Sequence, residues 1–188
     1  MAINKAKVLT ITSVRGGTGK TTTALNLAGL LSLKKEKTLL IDLDLYESAI
    51  GPLLNIQNEE NIYTLASDML NGYTKPIMSY ITKYNSYIDC LLAPNDPRRA
   101  ASVYSKSITD IIEKYRPNYD YIIIDTNYFM NDINLNVLDA SDMILYVIDN
   151  DLVSLKAMRS IGNIYNDIEK TNYKILINKS INKYKEKC

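Results

Sequence analysis

Cysteine is scarce in this chain of 188 residues, which also lacks a long apolar run and a strong net charge. Its two cysteines, Cys90 and Cys188, are too few for a disulfide framework, so we expect a reducing cytoplasm. The chain begins without a signal-peptide segment, and no apolar run approaches the length of a transmembrane helix. The net charge of +1 provides no general attraction to nucleic acid or anionic lipid. What is present, 46% apolar and 23% charged residues, is typical of a soluble globular domain.

Short apolar runs of strand length alternate with helical patterns along most of the chain. The runs are nearly continuous in Val, Ile, Leu and Tyr, as expected for parallel strands that are covered on both faces. The alternation predicts an α/β fold with a doubly wound, mostly parallel sheet, helices on both faces, and a ligand at the carboxyl ends of the strands. The predicted strands are residues 7–14, 38–43, 87–92, 121–126, 143–148 and 174–177. The predicted helices are residues 19–34, 62–71, 97–115, 132–140 and 152–169.

We expect residues 1–178 to form one domain, followed by a polar, lysine-rich tail at residues 179–188. The most informative segment of that domain is the glycine-rich turn of residues 13–23, SVRGGTGKTTT, between the first predicted strand and helix. Its glycines let the backbone wrap a polyphosphate, while N–H groups and the positive end of the helix face the anion. Lys20 can reach the outer phosphates and Thr21 can ligate Mg²⁺. The turn therefore predicts binding of a nucleoside triphosphate.

Two further predicted strands end in carboxylates. Asp42 and Asp44 are separated by one residue at the end of the second strand, and Asp125 follows an apolar run. Such carboxylates are costly unless they are paired, hydrated or close to a cation. The run before Asp125 is typical of a Walker B strand, whose aspartate holds magnesium directly or through water. The alternative is that these aspartates only cap turns or end strands.

Together these motifs resemble those of the ParA/MinD family, ATPases of the SIMIBI class of P-loop proteins. The turn is similar to the family's deviant Walker A loop, K-G-G-x-G-K-T, with Arg15 where the family has its signature lysine. Val14 stands where an ordinary phosphate loop has its first glycine. The resemblance covers most of residues 7–179 and implies ATP as the ligand. The implied ATP-binding residues are Arg15, Gly16, Gly17, Thr18, Gly19, Lys20, Thr21 and Thr22.

The resemblance also implies roles for single side chains. Asp42 would lie near the hydrated magnesium, and Asp44 would orient or activate the attacking water. Arg15 would reach the phosphates of the other subunit in an ATP-bound dimer, since arginine keeps the charge of lysine and can bind two phosphate oxygens. The alternative for Arg15 is a surface arginine on a loop. Asn178 is a candidate adenine contact, for which a turn-forming asparagine is the equal alternative.

The sequence departs from the family pattern after Asp125. Asn127 and Tyr128 replace the Pro-Pro pair of the family's Y-D-x-I-I-I-D-T-P-P segment, which shapes the switch region beside the γ-phosphate. The resemblance therefore does not predict the shape of this loop. Residues 92–97 and 149–156 are similar to segments of the CpaE/TadZ branch, pilus-assembly relatives of ParA, and equally to generic ParA relatives.

The resemblance implies an ATP-dependent, dimerising switch with slow hydrolysis, which positions DNA, pili or other cargo together with an activator or cargo protein. A P-loop small-molecule kinase or amidoligase, and a scaffold with negligible hydrolysis, remain as alternatives. An iron–sulfur reductase is excluded because no cysteine follows Asp125 within its loop. Nonspecific DNA binding is unsupported, since Arg98, Arg99 and the C-terminal lysines form no convincing patch. Residues 181–188 are too short and polar for a membrane-binding helix.

Overall fold

A seven-stranded sheet forms the centre of the molecule, in a computed structural model that describes residues 5–72 and 75–179. Its strands are β1 (Lys7–Thr12), β2 (Thr38–Leu43), β3 (Thr82–Lys83), β4 (Ile88–Leu91), β5 (Tyr121–Thr126), β6 (Met143–Asp149) and β7 (Tyr173–Asn178). The spatial order is β3-β4-β2-β5-β1-β6-β7, and only the β3–β4 pair is antiparallel. The mostly parallel sheet predicted from the apolar runs is confirmed.

Helices cover both faces of this sheet. They are α1 (Lys20–Leu33), α2 (Ile50–Leu54), α3 (Ile62–Leu70), α4 (Pro97–Ala100), α5 (Ser105–Tyr115), α6 (Asp132–Ala140) and α7 (Leu152–Asp167), with 3-10 helices at Ile77–Tyr80 and Arg116–Asn118. Successive side chains of a strand point to opposite faces. In β2, Leu39 and Ile41 pack with α3, α5 and α6, whereas Leu40 packs with α1. The three-layer, doubly wound fold is therefore confirmed.

The helix predicted over residues 97–115 is wrong, because a turn at residues 101–104 divides it into α4 and α5. Val103 in this turn is 7% exposed and packs in the same core as Ile108 and Ile111. Tyr104 then adopts an extended backbone before α5 begins. The energetic gain from burying Val103 explains the departure from a continuous helix, which would carry the chain straight on.

Several element boundaries also differ from the predictions. The first strand ends at Thr12 rather than at residue 14, because Ser13 already belongs to the turn and its hydroxyl donates to the Arg15 carbonyl at 2.6 Å. The short elements α2 and β3 were not predicted. Of the predicted tail, only Lys179 lies within the described residues. In the described ranges, no helix has the length and apolar character needed to cross a membrane.

Candidate nucleotide-binding site

The phosphate loop, residues 13–19, joins β1 to α1 at the carboxyl end of the sheet. Gly17 and Gly19 have φ angles of 75° and 97°, which side chains other than glycine's disfavour. Gly19 is the N-cap of α1 and offers no side chain to the first helical N–H groups. An uncapped helix N-terminus beside a glycine-rich loop is suited to an anion. Thr22 is exposed on the first turn of α1.

Residues at the end of β7 hold the phosphate loop from one side. The Asn178 amide donates to the Thr18 carbonyl at 2.9 Å, and the Lys179 ammonium donates to the Gly17 carbonyl. Thr18 is fully buried, and its hydroxyl has no hydrogen-bond partner in the described part of the chain. Asn178 thus contacts the loop directly, while its contact with adenine stays a prediction.

Asp42 and Asp125 lie side by side because β2 and β5 are neighbours and pair these two residues in register. Both side chains point to the face of the sheet that α1 covers, since Leu40 and Ile123 of the same strands pack with α1. Lys20, in the first turn of α1, is 7% exposed, and its ammonium acts to lower the pKa of Asp125. The sheet order therefore gathers the carboxylates and the lysine that the sequence places far apart.

Asp42 is fully buried and anchors the segment between β2 and α2. One carboxylate oxygen accepts the Asp44 backbone N–H at 3.1 Å, and the other accepts the Ser48 hydroxyl at 2.7 Å. Burial raises the pKa of Asp42 to about 7, and the nearby carboxylates of Asp125 and Asp44 act in the same direction. Asp42 therefore both shapes this segment and contributes negative charge that a cation would stabilise.

Asp125 is the buried carboxylate of this site that a bound cation would stabilise most. It is 1% exposed, and in the described ranges no hydrogen bond of good geometry reaches either carboxylate oxygen, although the Thr21 hydroxyl lies close enough to act on the carboxylate. Burial raises the pKa of Asp125 to about 6, although the neighbouring Thr21 hydroxyl and Lys20 ammonium act to lower it. A buried carboxylate with such incomplete hydrogen bonding is costly unless a cation binds it. Asp125 and Thr21 therefore fit the oxygen-rich coordination of Mg²⁺.

The side chains of residues 5–72 and 75–179 contain no group of three or more acidic, cysteine or histidine residues that could hold a metal ion by themselves. A magnesium ion beside Asp125 would consequently take most of its ligands from phosphate and water, as is usual for Mg²⁺ with nucleotides. Asp44 lies at the edge of the same region and is half-buried. Burial raises the pKa of Asp44, and the Lys20 ammonium opposes the change.

Arg15 is paired within its own chain. Its guanidinium lies 2.7 Å from the Asp149 carboxylate at the end of β6 and 3.1 Å from the carboxylate of Asp151. Asp151 is the N-cap of α7 and also accepts the backbone N–H groups of Val153 and Ser154. The Arg15 side chain is 45% exposed, so it is held in place and still accessible from outside. Its action on another subunit stays a prediction.

Tyr128 belongs to this site, although sequence reasoning assigned it no role. A Cβ atom added at Gly16 would lie 3.4 Å from the edge of the Tyr128 ring, and the Lys20 ammonium lies 6.0 Å from the ring centroid. The ring therefore covers one side of the phosphate loop. The one signal in the sequence was the departure from Pro-Pro at this position.

Comparison with known proteins identifies the family. A family model described as an AAA domain matches residues 6–182. The chain is 29% identical over 159 residues to the chromosome partitioning protein ParA of Myxococcus xanthus, covering 81% of this chain and 55% of that protein. The chain belongs to the ParA/MinD family of P-loop ATPases. A ParA family ATPase from Chlorobium tepidum has the same fold, with a TM-score of 0.81 at 21% identity, covering 93% of this chain and 74% of that one.

Other members of the ParA/MinD family are named for different functions. MinD from Pyrococcus horikoshii, a septum site-determining protein complexed with Mg-ADP, matches with a TM-score of 0.75 at 21% identity, covering 91% of this chain and 68% of that chain. The tyrosine-protein kinase CpsD of Streptococcus pneumoniae is 35% identical over 127 residues, which are 65% of this chain and 53% of CpsD. The chain thus spans about half the length of ParA and of CpsD. The matches do not confirm the CpaE/TadZ branch.

Proposed function

We propose that this protein is a cytoplasmic, slowly hydrolysing ATPase that dimerises with ATP and separates after hydrolysis, and so partitions or positions DNA, pili or other cargo. The observation that carries this proposal is an uncapped phosphate loop beside Asp125, a buried carboxylate whose hydrogen bonding is incomplete in the described residues. The loop suits a polyphosphate and Asp125 suits the cation that accompanies it. Similarity to the chromosome partitioning protein ParA and to MinD complexed with Mg-ADP supports the same function.

Each residue of the site has a part in this proposal. Lys20 and the N–H groups of the loop neutralise phosphate charge, and Thr21 and Asp125 hold Mg²⁺. The bound Mg²⁺ would supply positive charge to the outer phosphates. Asp44 orients the attacking water, and its raised pKa suits it to accept a proton. The protein thus contributes position and charge rather than covalent chemistry.

Arg15 links this chemistry to dimerisation. To reach the phosphates of a second subunit, it must leave Asp149 and Asp151, whose carboxylates hold it in the single chain. Both ion pairs are partly exposed, and such pairs contribute about 0–1 kcal/mol each, so a triphosphate can compete for the guanidinium. We therefore assign Arg15 two alternative partners, one in each oligomeric state.

Light scattering with ADP and with a nonhydrolysable ATP analogue tests the proposal. The expected result is a monomer with ADP and a dimer with the analogue, and an unchanged monomer in both conditions would refute the switch. Lys20→Ala should abolish nucleotide binding, whereas the matched variant Lys34→Ala, at the other end of α1, should bind normally. Asp44→Ala should bind ATP and remain dimeric, so rapid turnover by this variant would remove Asp44 from its role.

A second candidate function is phosphoryl transfer to an acceptor, supported by the relative CpsD, which is named a tyrosine-protein kinase. The third is a scaffold that binds nucleotide with negligible hydrolysis. Incubation with γ-labelled ATP, with candidate acceptors and with DNA distinguishes the three. Released inorganic phosphate is expected for the switch, label on the acceptor or on the chain itself for a kinase, and intact ATP for a scaffold.

A further inference from the structure

One buried amide fixes the loop that follows Asp125. Asn134, in the first turn of α6, is 2% exposed. Its Nδ2 atom donates to the side-chain oxygen of Asn127 at 2.7 Å, to the Phe129 carbonyl at 2.6 Å and to the Asn127 carbonyl at 3.3 Å. Because three acceptors face the same atom, that atom has to be the amide nitrogen. Asn134 therefore clamps the residues on either side of Tyr128.

The clamp is separable from the cap of the helix. The backbone N–H of Asn134 is bound by the Asn131 side chain at 2.9 Å, which forms the N-cap of α6. The side chain of Asn134 points the other way, to Asn127 and Phe129. Asn131 thus stabilises the helix end, whereas Asn134 acts on the loop. A substitution at each position can distinguish these two effects.

The clamped loop carries Tyr128 to the phosphate loop. Tyr128 lies between the two residues that Asn134 binds, and its ring packs on Phe129 with centroids 4.3 Å apart. From there the ring approaches Gly16 and the Lys20 ammonium. The ring edge lies at van der Waals distance from the position that a Cβ atom of Gly16 would take, so the ring packs against the loop at this residue. One chain of contacts therefore runs from α6 to the residue that would neutralise the phosphates.

An amide side chain at position 134 does not give the most stable fold. The side-chain amide oxygen of Asn134, Oδ1, is buried and has no hydrogen-bond partner in the described ranges. An unpaired buried acceptor opposes folding, and an apolar side chain of the same shape would avoid that cost. What an apolar side chain cannot do is donate to Asn127 and Phe129. The amide is therefore explained by the loop rather than by the packing of α6.

We propose, on the basis of the function proposed above, that Asn134 is a positioning residue for nucleotide binding. It holds Tyr128 as a wall of the phosphate site, and the wall keeps Lys20 directed at the phosphates. Loss of the clamp should leave the fold intact, let Tyr128 move into solvent and weaken the binding of Mg-ADP. In this chain the hydrogen bond between Asn127 and Asn134 gives the loop the rigidity that prolines would otherwise provide.

A single tryptophan can report the position of the loop, because the chain contains none. In a Tyr128→Trp background, Asn134→Leu should red-shift the emission of the nucleotide-free protein. Tyr128 is 38% exposed, so full exposure should raise quenching by acrylamide up to about 2.6-fold, the ratio of 100% to 38%. Asn131→Ala is the matched control, since it weakens the same helix end but leaves the clamp. Equal quenching with and without Asn134→Leu, or an equal rise with Asn131→Ala, would overturn the proposal.

Nucleotide affinity gives the second measurement, made with Tyr128 in place. Asn134→Leu should weaken Mg-ADP binding about tenfold, or about 1.4 kcal/mol, while Asn131→Ala should bind normally. Asn134→Thr, which keeps one hydroxyl donor, should lie between Asn134→Leu and the unsubstituted protein. Circular dichroism verifies that each variant is folded. Normal Mg-ADP affinity in Asn134→Leu would overturn the positioning role alone. The same holds if Asn134→Thr binds Mg-ADP no better than Asn134→Leu. Failure of the unsubstituted protein to bind nucleotide would overturn the proposed function as well.

Discussion

At the scale of single residues, the buried carboxylate of Asp125 makes the nucleotide-free protein sensitive to pH. The pKa of Asp125 is about 6 in the folded chain, above the ordinary value of an aspartate, so the folded state binds more protons than the unfolded state. The free energy of unfolding should therefore fall as the pH rises from about 4 through about 6. Asp42, with a pKa of about 7, extends this fall to neutral pH.

Asp125→Asn should remove much of this pH dependence. A pKa rise of this size corresponds to about 3 kcal/mol, so the variant should be more stable than the unsubstituted protein by up to about 3 kcal/mol at pH 8 and by little at pH 4. Urea denaturation at the two pH values, without nucleotide or Mg²⁺, measures the difference. Asp110→Asn, an exposed position on α5, is the control. Equal stability of Asp125→Asn and the unsubstituted protein at pH 8 would contradict the burial argument.

The ion pairs of Arg15 lead to a second expectation at this scale. Asp149→Asn together with Asp151→Asn should release the guanidinium and strengthen ATP-dependent dimerisation up to about thirtyfold for each Arg15, since the two partly exposed pairs together contribute at most about 2 kcal/mol. Asparagine at position 151 still caps α7, so the helix is preserved. Sedimentation with a nonhydrolysable ATP analogue measures the dimer constant.

Two substitutions at Arg15 complete the experiment. Arg15→Ala should lose the dimer, and Arg15→Lys, which keeps the charge, should retain it. The proposed exchange of partners fails if the double asparagine variant dimerises more weakly than the unsubstituted protein. It also fails if Arg15→Ala dimerises normally.

At the scale of elements, the N-cap of α1 and the interior of α1 each have a glycine, and the two have opposite requirements. Gly19, the N-cap, has a φ of 97°, and an added Cβ would lie 2.5 Å from the Asn178 amide nitrogen. Gly29 lies inside the helix, and an added Cβ would meet no atom within 4 Å. Gly19→Ala should therefore destabilise the protein by about 1–3 kcal/mol and displace Asn178, because alanine is strained at this φ.

Gly29→Ala should instead stabilise the protein by about 0.5–1 kcal/mol, since alanine favours a helix interior. Thermal denaturation of the two variants shows whether the effect of alanine on stability differs between the N-cap and the interior of α1. Addition of Asn178→Ala to Gly19→Ala should recover only the part of the loss that is due to the steric contact. Equal effects of the two glycine substitutions would contradict this account of the phosphate loop.

The elements also show what the sequence could and could not predict. Long strands such as β2 and β5 were predicted because burial on both faces leaves a continuous apolar run. The break between α4 and α5 was missed because it depends on Val103 reaching a core formed by distant segments. The sequence placed Asp42 and Asp125 at strand ends, and only the order of the strands makes them neighbours. The position of Tyr128 depends on the Asn134 clamp, which no local pattern indicates.

At the scale of the whole molecule, the two ends of the sheet differ. Among residues 5–72 and 75–179, one edge strand, β3, has only two residues, whereas β7 at the other edge has six. Ile175, Leu176 and Ile177 of β7 are 47%, 39% and 48% exposed. Ile175 and Leu176 point to opposite faces, so apolar surface flanks this edge on both sides. A long apolar edge strand favours association through strand pairing.

We therefore expect weak self-association that does not depend on nucleotide and begins only at protein concentrations above the dilute range in which the ADP-bound protein is a monomer. Ile175→Lys should abolish it, because a charge on an edge strand opposes strand pairing, and should leave nucleotide affinity unchanged. Static light scattering over a range of concentrations without nucleotide measures the effect. Leu33→Lys, at an 82% exposed position on α1, serves as the control and should still associate. If Ile175→Lys associates like the unsubstituted protein, β7 is not the surface involved. If Ile175→Lys stays monomeric with ADP, any dimer that this variant forms with the ATP analogue belongs to the phosphate-loop face.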